Sequence, residues 1–395
     1  MLDLVKNFLW NYMFVPLFLL TGAVCVFAII KNKGAKRVQN EKGEGDVSPV
    51  QTLFVNLAST IGTGNIVGVS LAIGVGGPGS VFWMWVAALF GMCVSYCENA
   101  LGKIYKTDKK PIGYMPDKIS KAFAFFCIIT SLGIGNMIQA NSAATALYTG
   151  FGVEKWLTGI LFAFLAFLIV KGGIKGITRF TDFFVPVMSV FFIVSALMVI
   201  LINRENIPFV FKSIFSEAFS SRAIMGGALA NGIARGVMSG EAGVGSTVIL
   251  SSKSNTKSPH KQGVIGSVSI FVDTIVMCTL TAVAILSAGA SSTQSAFYSA
   301  LGSLGGGVLD LAITFFAFTT IVGWSYFGLE CTAYLFGEKK KEVYKVVYAF
   351  AVFIGAVIGL EIAWAIGDIS CALMALPNLL CVLFLAKNIN SKKNE

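Results

Sequence analysis

Apolar stretches of about 17 to 25 residues recur along the whole chain, and each is long enough to cross the roughly 30 Å hydrocarbon core of a bilayer as a helix. One lies near residues 9–30. Ten more lie near 50–75, 78–102, 119–149, 155–171, 180–203, 223–251, 262–288, 308–336, 343–363 and 368–387, and no soluble domain fits between them. The expectation is an all-α integral membrane protein of about eleven transmembrane helices. Composition agrees, since only 13% of the 395 residues are charged, 55% are hydrophobic and the mean hydropathy is +0.78. Met13 to Ile30 lacks the small-residue cleavage pattern of a signal peptide and reads as a retained helix.

The formal charge of +10 does not point to nucleic acid, because Lys and Arg fall in short clusters between apolar runs and form no continuous basic face. They act as topology signals. With the amino terminus outside, the loops 31–49, 103–121, 171–179, 253–261 and 338–345 and the carboxyl tail hold 24 of the 30 Lys and Arg. Lys6, Lys155, Arg204, Lys212 and Arg222 lie on the opposite side, and Arg235 lies within a span. That asymmetry predicts a multi-pass protein of the inner (plasma) membrane with its carboxyl terminus in the cytoplasm. The eight cysteines sit in apolar stretches without CxxC spacing and His260 is the sole histidine, so no metal cluster, disulfide framework or cofactor is expected.

The chain divides into an accessory helix with its cytoplasmic loop (1–49), a five-helix unit (50–203), an extracellular connector (204–222), a second five-helix unit (223–387) and a cytoplasmic tail (388–395). An odd number of spans per unit means that the second runs inverted, which is transporter architecture. The first helix of each unit is the one most interrupted by glycine: Ile61-Gly62-Thr63-Gly64-Asn65 with Gly68 in one, Gly226-Gly227 through Gly232 and Gly236 in the other. Unwound backbone in lipid strands peptide groups at several kcal/mol each unless something polar satisfies them, and a bound ion and solute do that. Close helix packing is the competing explanation for any single glycine.

The stretch Gly62-Thr63-Gly64-Asn65-Ile66-Val67-Gly68-Val69, followed by Gly77-Pro78-Gly79-Ser80-Val81-Phe82-Trp83-Met84-Trp85, resembles the alanine or glycine:cation symporter (sodium:alanine symporter) family. Further matches follow in order at Gln139-Ala140-Asn141-Ser142, Arg235 to Ser246, Phe271 to Thr274, Cys278 to Ala282, Phe316 to Trp324 and Ala375 to Leu379, so the resemblance spans residues 50 to 385. It implies a LeuT-type fold, two inverted five-helix repeats preceded by one accessory helix, and sodium-driven uptake of small amino acids such as alanine and glycine. Ser239-Gly240-Glu241-Ala242-Gly243 stands where the family usually has Ser-Asn-Glu-Ala-Gly.

Within that frame, the cargo carboxylate is expected on the N–H groups of Thr63, Gly64 and Asn65, where the outer half of the first broken helix begins, with Gln139 as an added donor. Sodium needs about five or six hard oxygens, expected from carbonyls near Ser59 to Gly62 and the hydroxyls of Thr319 and Thr320. The alternative for two helical threonines is back-bonding to the preceding turn. Trp324, one turn beyond Thr320, is placed to cap the pocket and limit the cargo side chain. Trp83 and Trp85 read as interfacial anchors. The unwound segments, as placed here, contain no Asp, Glu, Lys or His, which favours a zwitterion. Arg235 is placed either to receive a carboxylate or to pair with Glu241 or Glu98, and Asp273 belongs with that network.

A channel commonly repeats a pore element around a symmetry axis, and no such repeat is visible. An enzyme needs a convergent nucleophile, acid or metal set, which lone His260 and scattered carboxylates do not supply. A secondary transporter for a small neutral amino acid remains, with sodium coupling implied by the resemblance and proton coupling of a similar carrier left open by Glu241 and Asp273.

Overall fold

The computed structural model describes residues 5–6, 8–31, 45–220, 227–359 and 361–389. Among them it contains helices and turns, with a single parallel bridge between Val47 and Ser254 in place of any strand. In chain order the helices are α1 (Phe8–Lys31), α2 (Pro49–Thr60), α3 (Val67–Gly76), α4 (Gly79–Ile104), α5 (Asp117–Phe151), α6 (Lys155–Lys171), α7 (Gly173–Ile202) and α8 (Ile207–Ala218). There follow α9 (Ala228–Gly240), α10 (Ser246–Ser251), α11 (Pro259–Ser287), α12 (Thr293–Phe336), α13 (Lys340–Val357) and α14 (Glu361–Leu385).

Among the described residues seven helices are individually long and apolar enough to cross a bilayer, and eight if α2 and α3 count as one bent span. The expected total of eleven is reached when α6, the α9–α10 pair and α13 cross as well. The surface agrees with lipid as solvent: Phe183, Val187, Val190, Val194 and Leu201 form an exposed apolar stripe on α7, while Asn65, Glu98, Asn99, Asp273 and Asn378 are fully buried.

Two groups of helices face each other. In one, α4 packs against α9 and α11, with α2 and α3 alongside; in the other, α12 packs against α5, and α13 against α6. The stripe of Gly232 and Gly236 explains how α9 approaches α4 so closely: a Cβ at Gly232 would lie 2.7 Å from Trp83 Cβ, and one at Gly236 would lie 3.1 Å from the Met84 carbonyl oxygen. α1 lies outside both groups against α4 and α14, where Trp10 Nε1 donates to the Asp368 carbonyl at 3.1 Å.

Local chemistry sets the element ends. Ser48 and Gln51 form a reciprocal capping box with Pro49 in the first turn of α2. α5 and α11 each carry a π-helical segment, Gly133–Met137 and Phe271–Cys278, a bulge that concentrates at functional sites. Trp83 and Trp85 are bound within the protein: their indole N–H groups donate to the Ala218 carbonyl (3.0 Å) and to Thr279 Oγ1 (2.8 Å), and their rings pack on Phe219, just past α8, and on Phe215 of α8. They hold helices together, which the expectation of interfacial anchors had not included.

Candidate functional site

Between the two groups lies a cavity of about 70 Å³, lined by the break between α2 and α3, the end of α9, the π segment of α5 and the Thr320–Trp324 turn of α12. α2 stops at Thr60 and the chain resumes as the short turn Thr63–Asn65, the two halves bent by 63°. Two amides leave the helical ladder. The Gly62 N–H donates to Asn65 Oδ1 (2.9 Å) and the Thr63 N–H to Gln139 Oε1 (3.3 Å), so the carbonyls of Ala58 and Ser59 lose the donors that would have continued the helix. Thr320 Oγ1 sits 3.2 Å from the Ile61 carbonyl oxygen and 2.9 Å from that of Phe316. Glycine at 62 is what permits this approach, since a Cβ there would lie 2.8 Å from Thr320 Oγ1. A helix C-terminus with unpaired carbonyls beside a hydroxyl is a place for a hard cation.

The second break is not where the sequence suggested. Gly227 begins α9, Gly226 lies outside the described residues, and the helix then runs unbroken past Gly232 and Gly236, whose role is packing. It ends at Gly240, and the chain unwinds over residues 241–245 with positive φ at Glu241 (55°), Gly243 (79°) and Gly245 (85°). The alternating glycines of Glu241-Ala242-Gly243-Val244-Gly245 were the signal for it. Consequently the unwound backbone does contain an acid, contrary to expectation: Glu241 lines the cavity, accepting from Trp324 Nε1 at 2.9 Å and from Ser246 Oγ at 2.7 Å.

Of the expected cargo residues, Thr63, Gly64, Gln139, Thr320 and Trp324 line the cavity, as do Ser59 and Gly62. Asn65 and Thr319 do not. The Asn65 N–H closes the turn on the Gly62 carbonyl (3.2 Å), and its side-chain amide donates to Asp273 Oδ1 (2.9 Å), so it braces the break from behind. Thr319 Oγ1 bonds back to the Phe315 and Phe316 carbonyls (3.1 and 3.0 Å) and meets Met188 Sδ, the helical back-bonding that competes with any ligand role. Gln139 differs in sense: its oxygen accepts from the Thr63 N–H while its Nε2 donates to the Ile134 carbonyl (3.2 Å), holding a position a carboxylate would take.

The acids divide into two brackets. Asp273 accepts from Asn65, from Ser239 Oγ (2.9 Å) and from Thr274 Oγ1 (2.9 Å), joining the two breaks through α11. Glu98 accepts from the Gly243 N–H (3.3 Å) and from Asn378 Nδ2 (2.8 Å), tying the second break to α4 and α14. Arg235 lines the cavity but makes no hydrogen bond or ion pair with either glutamate among the described residues. Sequence reasoning missed Met238, Ser239, Ile134 and Trp364 in the wall and Asn378 behind it. The glycine pair Gly133 and Gly135 was the available sign of the α5 bulge. No group of three or more His, Cys, Asp or Glu is placed to hold a metal among the described residues.

The model of the sodium:alanine symporter family matches residues 1–395. The chain belongs to the sodium:alanine symporter family. This family member is 36% identical over 428 residues to the sodium/alanine symporter AgcS of Methanococcus maripaludis, a match covering 98% of this chain and 94% of that protein. It is 33% identical over 388 residues to the sodium/proton-dependent alanine carrier protein of Bacillus sp. PS3, covering 88% and 87%. In structure it resembles MhsT in complex with L-phenylalanine, with a TM-score of 0.64 at 14% identity over 87% of this chain and 89% of that one. The LeuT-type fold expected from the sequence is the fold this likeness shows. The protein is a multi-pass membrane transporter and not an enzyme.

Proposed function

We propose that this symporter carries alanine and glycine into the cell together with sodium by alternating access, with the amino terminus outside and the units 50–203 and 223–387 acting as inverted repeats. The cavity between the two helix breaks carries this assignment. The cavity is small, about 70 Å³, which suits a compact cargo such as glycine or alanine. Trp324, 1% exposed and hydrogen-bonded to Glu241, forms a wall that larger side chains cannot displace cheaply. The cargo carboxylate goes to the N–H groups of Thr63 and Gly64, in exchange for the Gln139 oxygen. Sodium goes to the carbonyls of Ser59 to Gly62 and to Thr320 Oγ1. One sodium entering down about 100 mV and a tenfold gradient supplies about 3.7 kcal/mol, enough to accumulate a neutral solute several hundred-fold.

Uptake of labelled alanine into proteoliposomes, with an inward sodium gradient or with choline in its place, tests the assignment. Sodium must accelerate uptake and a protonophore must leave it intact. One observation favours a second reading, proton coupling: Glu98, Glu241 and Asp273 are buried without a Lys or Arg within 4.0 Å among the described residues. Uptake at full rate in choline that collapses with a protonophore would establish it instead.

A further inference from the structure

Glu241 occupies three unfavourable circumstances at once and also faces the cavity. It is 7% exposed, and no Lys or Arg lies within 4.0 Å of its carboxylate among the described residues, so its charge is desolvated without a counter-charge. It stands at the C-terminus of α9, where unpaired carbonyls already make the potential negative and an anion is repelled. Its backbone is left-handed (φ 55°, ψ 22°), the single positive φ outside glycine among the described residues, in a segment where the other two left-handed positions are glycine. Finally, it faces the cavity. Trp324 Nε1 and Ser246 Oγ each donate one hydrogen bond, to different carboxylate oxygens, which orients the group and leaves a lone pair on each oxygen unused. Neutral donors do not neutralise it. A compact cation arriving in the cavity would offset both the missing counter-charge and the repulsion at the helix end.

The opposite wall has the opposite polarity. Thr63 and Gly64 open the outer half of the first broken helix, present N–H groups there, and line the same cavity as Glu241. A carboxylate on one wall and an ammonium on the other are joined in an α-amino acid by one carbon. We infer that Glu241 is the acceptor for the α-ammonium group of the cargo, and that the pair of walls selects amino acids over hydroxy acids of the same shape. The inference rests on the proposed amino-acid cargo and adds the residue that reads its cationic end.

Equilibrium binding of labelled alanine and labelled lactate to the full-length protein in nanodiscs at saturating sodium tests it, with melting temperature in sodium alone as the measure of folding. Lactate replaces only the ammonium group by hydroxyl. The native protein should bind alanine far more tightly than lactate. Glu241→Gln should weaken alanine by about thirtyfold or more, leave lactate no weaker, and keep the stabilisation by sodium. Ser246→Ala, which leaves the carboxylate in place and only frees one oxygen, should shift alanine affinity and not that of lactate, and it serves if Glu241→Gln does not fold. An unchanged alanine-over-lactate preference in Glu241→Gln, or equal shifts for both ligands in Ser246→Ala, overturns the inference. So does loss of sodium stabilisation in Glu241→Gln, which would make sodium the cation held. Failure of the native protein to bind alanine removes the proposed cargo and this inference together, whereas failure of the variants alone removes only the inference.

Discussion

Gly135→Ala puts the size limit of the cavity to the test. Gly135 sits in the π segment of α5 directly behind Trp324, and a Cβ there would lie 2.6 Å from Trp324 Cβ and 2.7 Å from Cδ2, with Cγ closer still. Ordinary contact begins near 3.4 Å, so the indole must move by about 0.7 Å or more. Phe327, whose ring centroid is 5.5 Å away, and the hydrogen bond to Glu241 hold the ring in register, so the advance goes into the cavity. An indole advancing by that much narrows a cavity of only about 70 Å³. Overpacking of this kind costs about 1–3 kcal/mol. Alanine, which carries one methyl more than glycine, should bear most of that cost. The expected result is a shift of at least about fivefold toward glycine in the ratio of KM values, measured by uptake of both labelled amino acids into proteoliposomes. Equal losses for both substrates, or none in either, would refute the claim that Trp324 measures the cargo.

Four further substitutions separate the parts of the site. Gly64→Leu places a branched side chain in the cavity that Gly64 lines, and should abolish alanine binding in an equilibrium assay while sodium still stabilises the protein. Thr320→Ala should raise the half-saturating sodium concentration for uptake severalfold, because its hydroxyl faces the Ile61 carbonyl, whereas Thr319→Ala should leave it within about twofold. Glu98→Gln sets an amide N–H₂ against either the Gly243 N–H or Asn378 Nδ2, both donors, and should cost about 1–3 kcal/mol of stability, read as a melting temperature lower by a few degrees.

The two helix breaks show how differently two similar sequence signals behave. Gly62 sits where the backbone must come close to Thr320, and there the glycine run marked the break correctly. Gly232 and Gly236, spaced by one helical turn, marked a packing seam against α4 instead, because in lipid a helix gains more from close contact than from chain freedom. The true second break five residues beyond Gly236 depends on left-handed Glu241, a conformation that no local preference of glutamate predicts. Asn65 and Thr319 were drawn into the site by adjacency to residues that do line it. On a helix or a tight turn, neighbours point in different directions, and here one was turned toward Asp273 and the other toward its own helix.

The chain alone determined that this protein lives in a membrane as a stack of helices, and that the first helix of the first unit breaks near residues 61–65. Those conclusions follow from lengths, charges and the cost of bare backbone in hydrocarbon, all of which are additive along a sequence. Only the tertiary structure decided which carboxylate faces the cavity, which oxygen meets which carbonyl, and how little space Trp324 leaves. Those depend on angstrom-scale approaches between helices far apart in the chain, and no one-dimensional pattern carries such distances.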